Sequence, residues 1–174
     1  MKNKKSGFSI IEFIVVIAII GIISGFMVIN FRKGEGANKL LRVGQRIVQG
    51  IRESQGMALS SSEQTGQIYD YYGVHFNKGS MPGSFYIFAS SLNAVYDSGE
   101  QVKTINLEEG IVVDSLSGVD QMDISFSSPY AIVVFNPAAP SRNVSIIIKK
   151  QGTSCPSSSC RTITISDSGW ININ

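Results

Sequence analysis

Glu12 is the clearest candidate for a functional residue in this sequence. It lies within residues 8–31, a run that is otherwise almost free of charge and largely apolar. A carboxylate inside a bilayer costs about 2.5–3.5 kcal/mol on insertion scales. We therefore expect Glu12 to find a cationic partner wherever this run is buried.

Cys155 and Cys160 form a second candidate site, because they flank a short serine-rich loop. If this part of the chain is exported, we expect a local disulfide between them. A redox or metal role is the alternative. Their spacing is not C-x-x-C and no histidine lies nearby, so no metal site and no cofactor is expected.

The remaining polar residues give weaker signals. His75, the single histidine, lies in an alternating stretch, where a packed or surface histidine is more common than a general base. Asp120 and Asp123 could contribute to a cation site, although the EF-hand pattern is absent. The acids at 108–109 lie in a turn-like segment and are expected to be solvated. Without a hydrolase or phosphate-binding motif, the sequence does not indicate an enzyme.

Composition limits the classes of protein that this chain can belong to. Its 174 residues suffice for one membrane segment and one domain, with 43% hydrophobic and 16% charged residues. The net charge of +2 is too small to indicate nucleic-acid binding.

The apolar run has the length of a membrane span. A helix needs about 20 residues to cross a bilayer, whereas the apolar region of a signal peptide has 7–15. Lysines precede the run at positions 2, 4 and 5, which favours a cytoplasmic N-terminus with the rest of the chain outside. A plain signal anchor would fit the run but would give Glu12 no purpose.

The junction between leader and run, KKSG followed by FSIIE, resembles the N-terminus of type IV prepilins and of type II secretion pseudopilins. This resemblance implies that a prepilin peptidase cleaves after Gly7 and methylates the new N-terminus at Phe8. Glu12 matches the acid of the family motif, whereas Ser9 and Ile10 replace its usual threonine and leucine.

The resemblance also implies a role for Glu12 in assembly. Cleavage creates a cationic amine on Phe8, and Glu12 can pair with its own amine or with that of a neighbouring subunit. An unpaired buried charge costs about 3–5 kcal/mol, enough to select one axial offset between subunits. A glutamate that snorkels to the membrane interface is the alternative.

Two features of the run refine this interpretation. Gly21 and Gly25 have the spacing that allows close helix packing, although glycine is also simply tolerated in membrane helices. Many major pilins carry a proline well along the run. Residues 8–31 contain none, which favours a minor subunit.

The rest of the sequence predicts a helix and then a β-rich head. Apolar residues recur at helical spacing up to about Leu59, so one helix is expected from about Phe8. Nine short β-rich runs follow, separated by turn residues, and RTITIS–DSG–WININ indicates a hairpin. The order YYGVHF, FNP and TITISDSGWI resembles the head of GspH-like pseudopilins and FimT-like minor pilins.

Together these patterns predict an α+β protein with a long N-terminal transmembrane helix packed on a mostly antiparallel, pilin-like β head. Its expected parts are a leader (1–7), a membrane or filament-core segment (8–31), an amphipathic continuation (32–62) and a head (63–174). The expected function is a structural subunit, minor in type, of a type IV pilus or a type II secretion pseudopilus. The alternative is a signal-anchored extracytoplasmic ligand-binding protein.

The same resemblance implies partners and a location. The partners are other pilin or pseudopilin subunits, the prepilin peptidase and the inner-membrane assembly platform. The chain would cross the cytoplasmic membrane once, with its head outside, and then enter an extracytoplasmic filament.

Overall fold

The structure is a computed structural model that describes residues 9–64, 66–80, 83–138, 142–155 and 159–174, with the backbone alone for 28–35. The boundary between two compact units falls after Gly36.

One long helix, α1, spans Ile10–Leu59. From Leu40 onward it has a buried stripe with a spacing of three or four residues, the period that keeps side chains on one face of a helix. Its members are Leu40, Val43, Ile47, Ile51, Ser54 and Ala58, all at most 1% exposed. This stripe packs into the core of the second unit.

The nine strands of the head form two antiparallel sheets. The strands are β1 (Tyr71–Asn77), β2 (Ser84–Ser90), β3 (Gln101–Asn106), β4 (Ile111–Leu116), β5 (Gln121–Ser127), β6 (Ile132–Asn136), β7 (Asn143–Lys150), β8 (Cys160–Ser166) and β9 (Ile171–Ile173). The first sheet has the order β3-β2-β1-β5-β6, and the second has the order β4-β7-β8-β9.

Alternation along the strands separates an inner from an outer face of the first sheet. In β1, Tyr72, Val74 and Phe76 point into the core that also contains the buried stripe of α1. His75 lies on the opposite face, where it is adjacent in register to Asp123 of β5.

A loop covers part of this outer face. Residues 91–97, here called the strap, connect β2 to a short 3-10 turn at Ser98–Glu100. Ser125 Oγ donates to the carbonyl of Ala94 at 3.0 Å, and the ring of Tyr96 stacks on His75. The strap therefore shields polar groups of the sheet from solvent.

The α+β class, with an apolar N-terminal helix and an antiparallel β head, is confirmed. All nine predicted β-rich runs contain strands, and the C-terminal hairpin is β8 with β9, where Ile165 is opposite Ile171. The first strand begins at Tyr71, later than the start of the β-rich run that predicted it. Tyr72 in this strand is a fully buried core residue.

Candidate functional site

The apolar segment Ile10–Met27 is the first part of the candidate site. Its large hydrophobic side chains are exposed on every side of the helix, from 46% at Val16 to 82% at Ile10. Its mean hydropathy of 2.7 makes it the one helical segment, among the described residues, that is long and apolar enough to cross a membrane. A helix that is apolar all round is stable only when its whole surface is buried.

Ser9 and Glu12 form a capping box at the start of this segment. The carbonyl of Ser9 accepts the first helical hydrogen bond from Phe13 N, and Ser9 Oγ accepts one from Ile11 N at 3.4 Å. Glu12 Oε2 in turn accepts a hydrogen bond from Ser9 N at 3.2 Å. A Ser-x-x-Glu box of this kind satisfies backbone donors that no helical carbonyl can reach.

The capping box gives Glu12 a local partner that the charge-based reading of the sequence overlooked. The signal was visible, since Ser9 and Glu12 have the spacing of the box and precede an apolar run. No ion pair to Glu12 is found in the described part of the chain. Gly7 and Phe8, the residues expected to be cleaved and methylated, lie outside it.

His75 and Asp123 form a buried pair in the head. His75 Nδ1 donates to Asp123 Oδ1 at 2.6 Å, and the two side chains are 8% and 7% exposed. Asp123 Oδ2 also accepts from Tyr96 N at 3.3 Å and from Asn136 Nδ2 at 3.2 Å. This carboxylate therefore ties together β1, β5, β6 and the strap.

The aromatic rings around His75 complete this cluster. Tyr96 stacks on the imidazole with centroids 4.4 Å apart, and Tyr86 lies 5.8 Å from Tyr96 in a parallel arrangement. Burial, followed by the nearby Tyr86, Asp97 and Asp123, raises the pKa of Tyr96 above its usual 10.0. The cluster fits a packed structural histidine, as the sequence indicated.

The geometry does not support the cation site considered for Asp120 and Asp123. Asp123 is buried against His75, whereas the exposed Asp120 pairs with Lys78 at 3.4 Å. Asp120 precedes β5 and Asp123 lies within it, so the two carboxylates have different partners. Within the described residues, no group of three or more His, Cys, Asp or Glu side chains could hold a metal ion.

The two remaining expectations concern the cysteines and the acids at 108–109. The structure contains a Cys155–Cys160 disulfide with the Cα atoms 6.0 Å apart, next to the end of the β7–β8 pair. Its redox state in the cell stays a prediction. Glu108 is not freely solvated, because Arg42 of α1 binds both of its oxygens at 3.0 Å.

Comparison with known families gives one finding about the N-terminal segment. Residues 2–28 carry the prokaryotic N-terminal methylation motif. The match includes residues 2–7 of the expected leader, the capping box and the whole apolar segment Ile10–Met27. Neither a curated protein nor a solved structure matches the chain significantly.

The methylation motif supports a type IV pilin-like or pseudopilin subunit, and thus a structural protein rather than an enzyme. It implies processing by prepilin peptidase and assembly with other pilins. Together with the apolar segment Ile10–Met27, it also suggests a membrane-anchored chain that enters a pilus.

Proposed function

We propose that the chain is a minor structural subunit of a type IV pilus or a type II secretion pseudopilus, of the GspH- and FimT-like kind. Prepilin peptidase removes residues 1–7 after Gly7 and methylates Phe8. The single observation that carries the pilin or pseudopilin assignment is the N-terminal methylation motif at residues 2–28, whereas the GspH- and FimT-like kind rests on the resemblance of the head sequence alone. The absence of proline from residues 8–31 supports the minor type.

Assembly follows from the surface of the apolar segment. Burial of one large aliphatic or aromatic side chain contributes about 1.5–3 kcal/mol, and the segment Ile10–Met27 presents such side chains all round. The bilayer covers them before assembly, and neighbouring helices cover them in the filament. Residues 8–31 thus form the filament core, 32–62 the amphipathic continuation and 63–174 the head.

Glu12 sets the axial position of each subunit in this proposal. Its Oε2 binds the backbone of its own helix through the capping box, but its negative charge still needs a cation when the helix is surrounded by apolar side chains. The amine that cleavage creates on Phe8, from the same or a neighbouring subunit, supplies that cation.

The proposal also includes a location and a set of partners for the chain. The lysines at 2, 4 and 5 favour a cytoplasmic N-terminus, so the chain crosses the cytoplasmic membrane once with its head outside. Its partners are other pilin or pseudopilin subunits, the prepilin peptidase and the inner-membrane assembly platform.

Variants at the capping box separate the charge of Glu12 from its role in helix capping. Glu12→Gln keeps an oxygen that can accept the hydrogen bond from Ser9 N, as glutamine serves in the same box, but it removes the charge. Ser9→Ala removes the hydroxyl cap and keeps the charge. We expect both variants to insert into the membrane, with only Glu12→Gln depleted from sheared filaments.

Immunoblots of membrane and filament fractions measure this difference, and mass spectrometry verifies that both variants are cleaved. Normal incorporation of Glu12→Gln would contradict the electrostatic role. Equal loss of both variants would show that capping, rather than charge, is what assembly requires.

The N-terminus of the mature chain tests the whole proposal. Mass spectrometry of protein from native filaments or membranes should show a chain that begins at methylated Phe8. An intact leader in cells with active prepilin peptidase would instead favour a signal-anchored extracytoplasmic binding protein.

A further inference from the structure

A groove lies between α1 and β3, the edge strand of the first sheet. Its first part, of about 410 Å³, is lined by residues of α1 between Arg46 and Glu53 and by residues 103–106 of β3. Its second part, of about 350 Å³, reaches Arg42 and Glu108 and shares Arg46 and Gln49 with the first. The two parts together are called here the β3 groove.

The β3 groove has one positive charge in excess. Its ionisable lining residues are Arg42, Arg46, Lys103, Glu53 and Glu108. Lys103 binds Glu53 at 2.8 Å. Arg42 binds both oxygens of Glu108 at 3.0 Å. These two pairs leave the charge of Arg46 as the excess.

Arg46 has a neutral partner instead of a carboxylate. Its Nη1 donates to the backbone carbonyl of Asn106 at 3.0 Å, and no ion pair of the described residues includes it. This single bond holds the guanidinium at the edge of β3 and leaves most of its N–H donors available. A guanidinium of this kind binds a carboxylate through two parallel hydrogen bonds.

The open edge of β3 offers backbone groups beside this guanidinium. Leu107 N donates to Gly83 O at 2.7 Å, and in an antiparallel pair such positions alternate with positions whose N–H and C=O point away from the neighbouring strand. The backbone groups of Thr104 and Asn106 therefore point away from β2. Apart from Asn106 O, they form no hydrogen bond within the described part of the chain.

The side chains of β3 show where an added strand would place an acid. Lys103 and Ile105 point toward α1, since Lys103 binds Glu53 and Ile105 Cδ1 would lie 3.4 Å from a Cβ at Gly50. Directly opposite residues of an antiparallel pair lie on the same face. An acidic residue opposite Ile105 would thus project into the groove beside Arg46.

Lys103 does not close this edge to an acidic strand. Lysine on an edge strand opposes pairing with further strands. Here its charge is neutralised by Glu53, and what remains in the groove is the charge of Arg46, which attracts an acid.

The groove fits an acidic peptide better than a nucleic acid. Nucleic acids are bound by the neutralisation of several phosphates. Among the described lining residues, only Arg46 is a basic side chain without a carboxylate partner. An extended peptide needs just one acid and can also form main-chain hydrogen bonds with an open sheet edge.

We propose that the β3 groove binds an extended acidic segment of another protein, which adds to the first sheet as an antiparallel strand. A carboxylate of this segment binds Arg46, and its backbone pairs with Thr104 and Asn106. The proposal uses residues of the second compact unit alone, whereas the proposed function rests on residues 2–28. Each can therefore fail without the other.

Calorimetric titration of the full chain in detergent micelles tests the groove. The probe is a peptide of sequence TVEVT with blocked ends, whose glutamate is flanked by residues of high β propensity. One matched peptide has glutamine in place of the glutamate. Another has N-methyl groups on both valines, the residues whose backbone would pair with β3. We expect saturable binding of the probe and at least about tenfold weaker binding of each matched peptide.

Two variants of the chain isolate the role of Arg46. Arg46→Gln should bind the acidic probe at least about tenfold more weakly, because a charge-assisted contact is lost. Arg52→Gln is the matched control, since Arg52 is exposed on the same helix and does not line the groove. Its affinity should equal that of the wild type. Circular dichroism verifies that both variants fold.

Several results would overturn the proposal. Absence of saturable binding of the probe, or equal binding by Arg46→Gln and the wild type, would refute it. If the N-methylated peptide or sodium acetate bound as tightly as the probe, the groove would be a simple anion site without strand addition. Tighter binding of a short oligothymidylate than of the probe, lost in Arg46→Gln, would assign the groove to a nucleic acid instead.

Discussion

Gly50 packs closely against the first sheet, and its replacement by alanine gives a quantitative test of how the helix packs in the head. A Cβ at this position would lie 2.5 and 2.8 Å from two ring carbons of Phe85 and 3.4 Å from Ile105 Cδ1. Phe85 is fully buried and stacks on Phe76 with centroids 5.1 Å apart. The ring therefore has little room to move away.

Two effects of opposite sign determine the stability of Gly50→Ala. Alanine is favoured over glycine in a helix by about 0.8–1.0 kcal/mol. Overpacking of a well-filled core costs about 1–3 kcal/mol. We expect the second effect to win, with a net loss of up to about 2 kcal/mol in the free energy of unfolding.

Gly56→Ala is the matched control in the same helix. A Cβ at Gly56 would have no atom within 4 Å outside its own helix, so only the gain in helix propensity applies. This variant should be more stable than the wild type by as much as about 1 kcal/mol. The difference between the two alanine variants isolates the cost of the contact with Phe85.

Urea denaturation of the full chain in detergent, monitored by circular dichroism in the range of the β-rich head, measures the free energy of unfolding of both variants. Unchanged m values would show that the midpoint shifts report stability. If Gly50→Ala gains as much stability as Gly56→Ala, the helix and sheet can separate without cost and the reasoning fails.

Three further perturbations test a buried carboxylate, an ion pair and a disulfide that stabilise the head. Asp123→Ala removes the acceptor of His75 and two other donors, so denaturation should show a loss of about 2–3 kcal/mol; a loss under about 0.5 would contradict the role given to this carboxylate. The hydrogen bond from Arg42 lowers the pKa of Glu108 below its usual 4.5, so the stability that this pair adds is present above that pH and is lost as the pH falls through the lowered pKa. Glu108→Gln should remove that pH dependence while costing at most about 1 kcal/mol at neutral pH, because the pair lies at the surface. If the variant lost stability at low pH in the same way as the wild type, the role given to this pair would be wrong. Reduction of the Cys155–Cys160 disulfide at the start of β8, which closes a loop with a sequence separation of 5, should lower the unfolding free energy by about 2 kcal/mol, and an unshifted urea midpoint would contradict this.

The sequence predicted the elements of this fold because each has its own hydrophobic period. In β8, Ile163 and Ile165 alternate with threonine, and both are fully buried in the structure. In α1, the stripe that begins at Leu40 follows the helical period. Local patterns of this kind depend only on neighbours in the chain, so one sequence is enough to detect them.

The pairing of the strands could not be predicted in the same way. β1 pairs with both β2 and β5, and the partition into two sheets depends on contacts between residues far apart in the chain. The engagement of Asp123 with His75, 48 residues away, follows from that register.

The capping box changes the energetic argument for Glu12 without removing it. One oxygen of the carboxylate binds Ser9 N, which orients the group at the start of the helix, close in sequence to the amine that the proposed cleavage would create on Phe8. The other oxygen has no hydrogen bond within the described residues, and the positive end of the helix dipole favours a negative charge there. A single carboxylate can therefore cap its own helix and bind an amine at the same time. In the proposed assembly, the cap forms before the subunit is incorporated, so the carboxylate would enter the filament already oriented, and the formation of the ion pair would distinguish correct from incorrect axial positions.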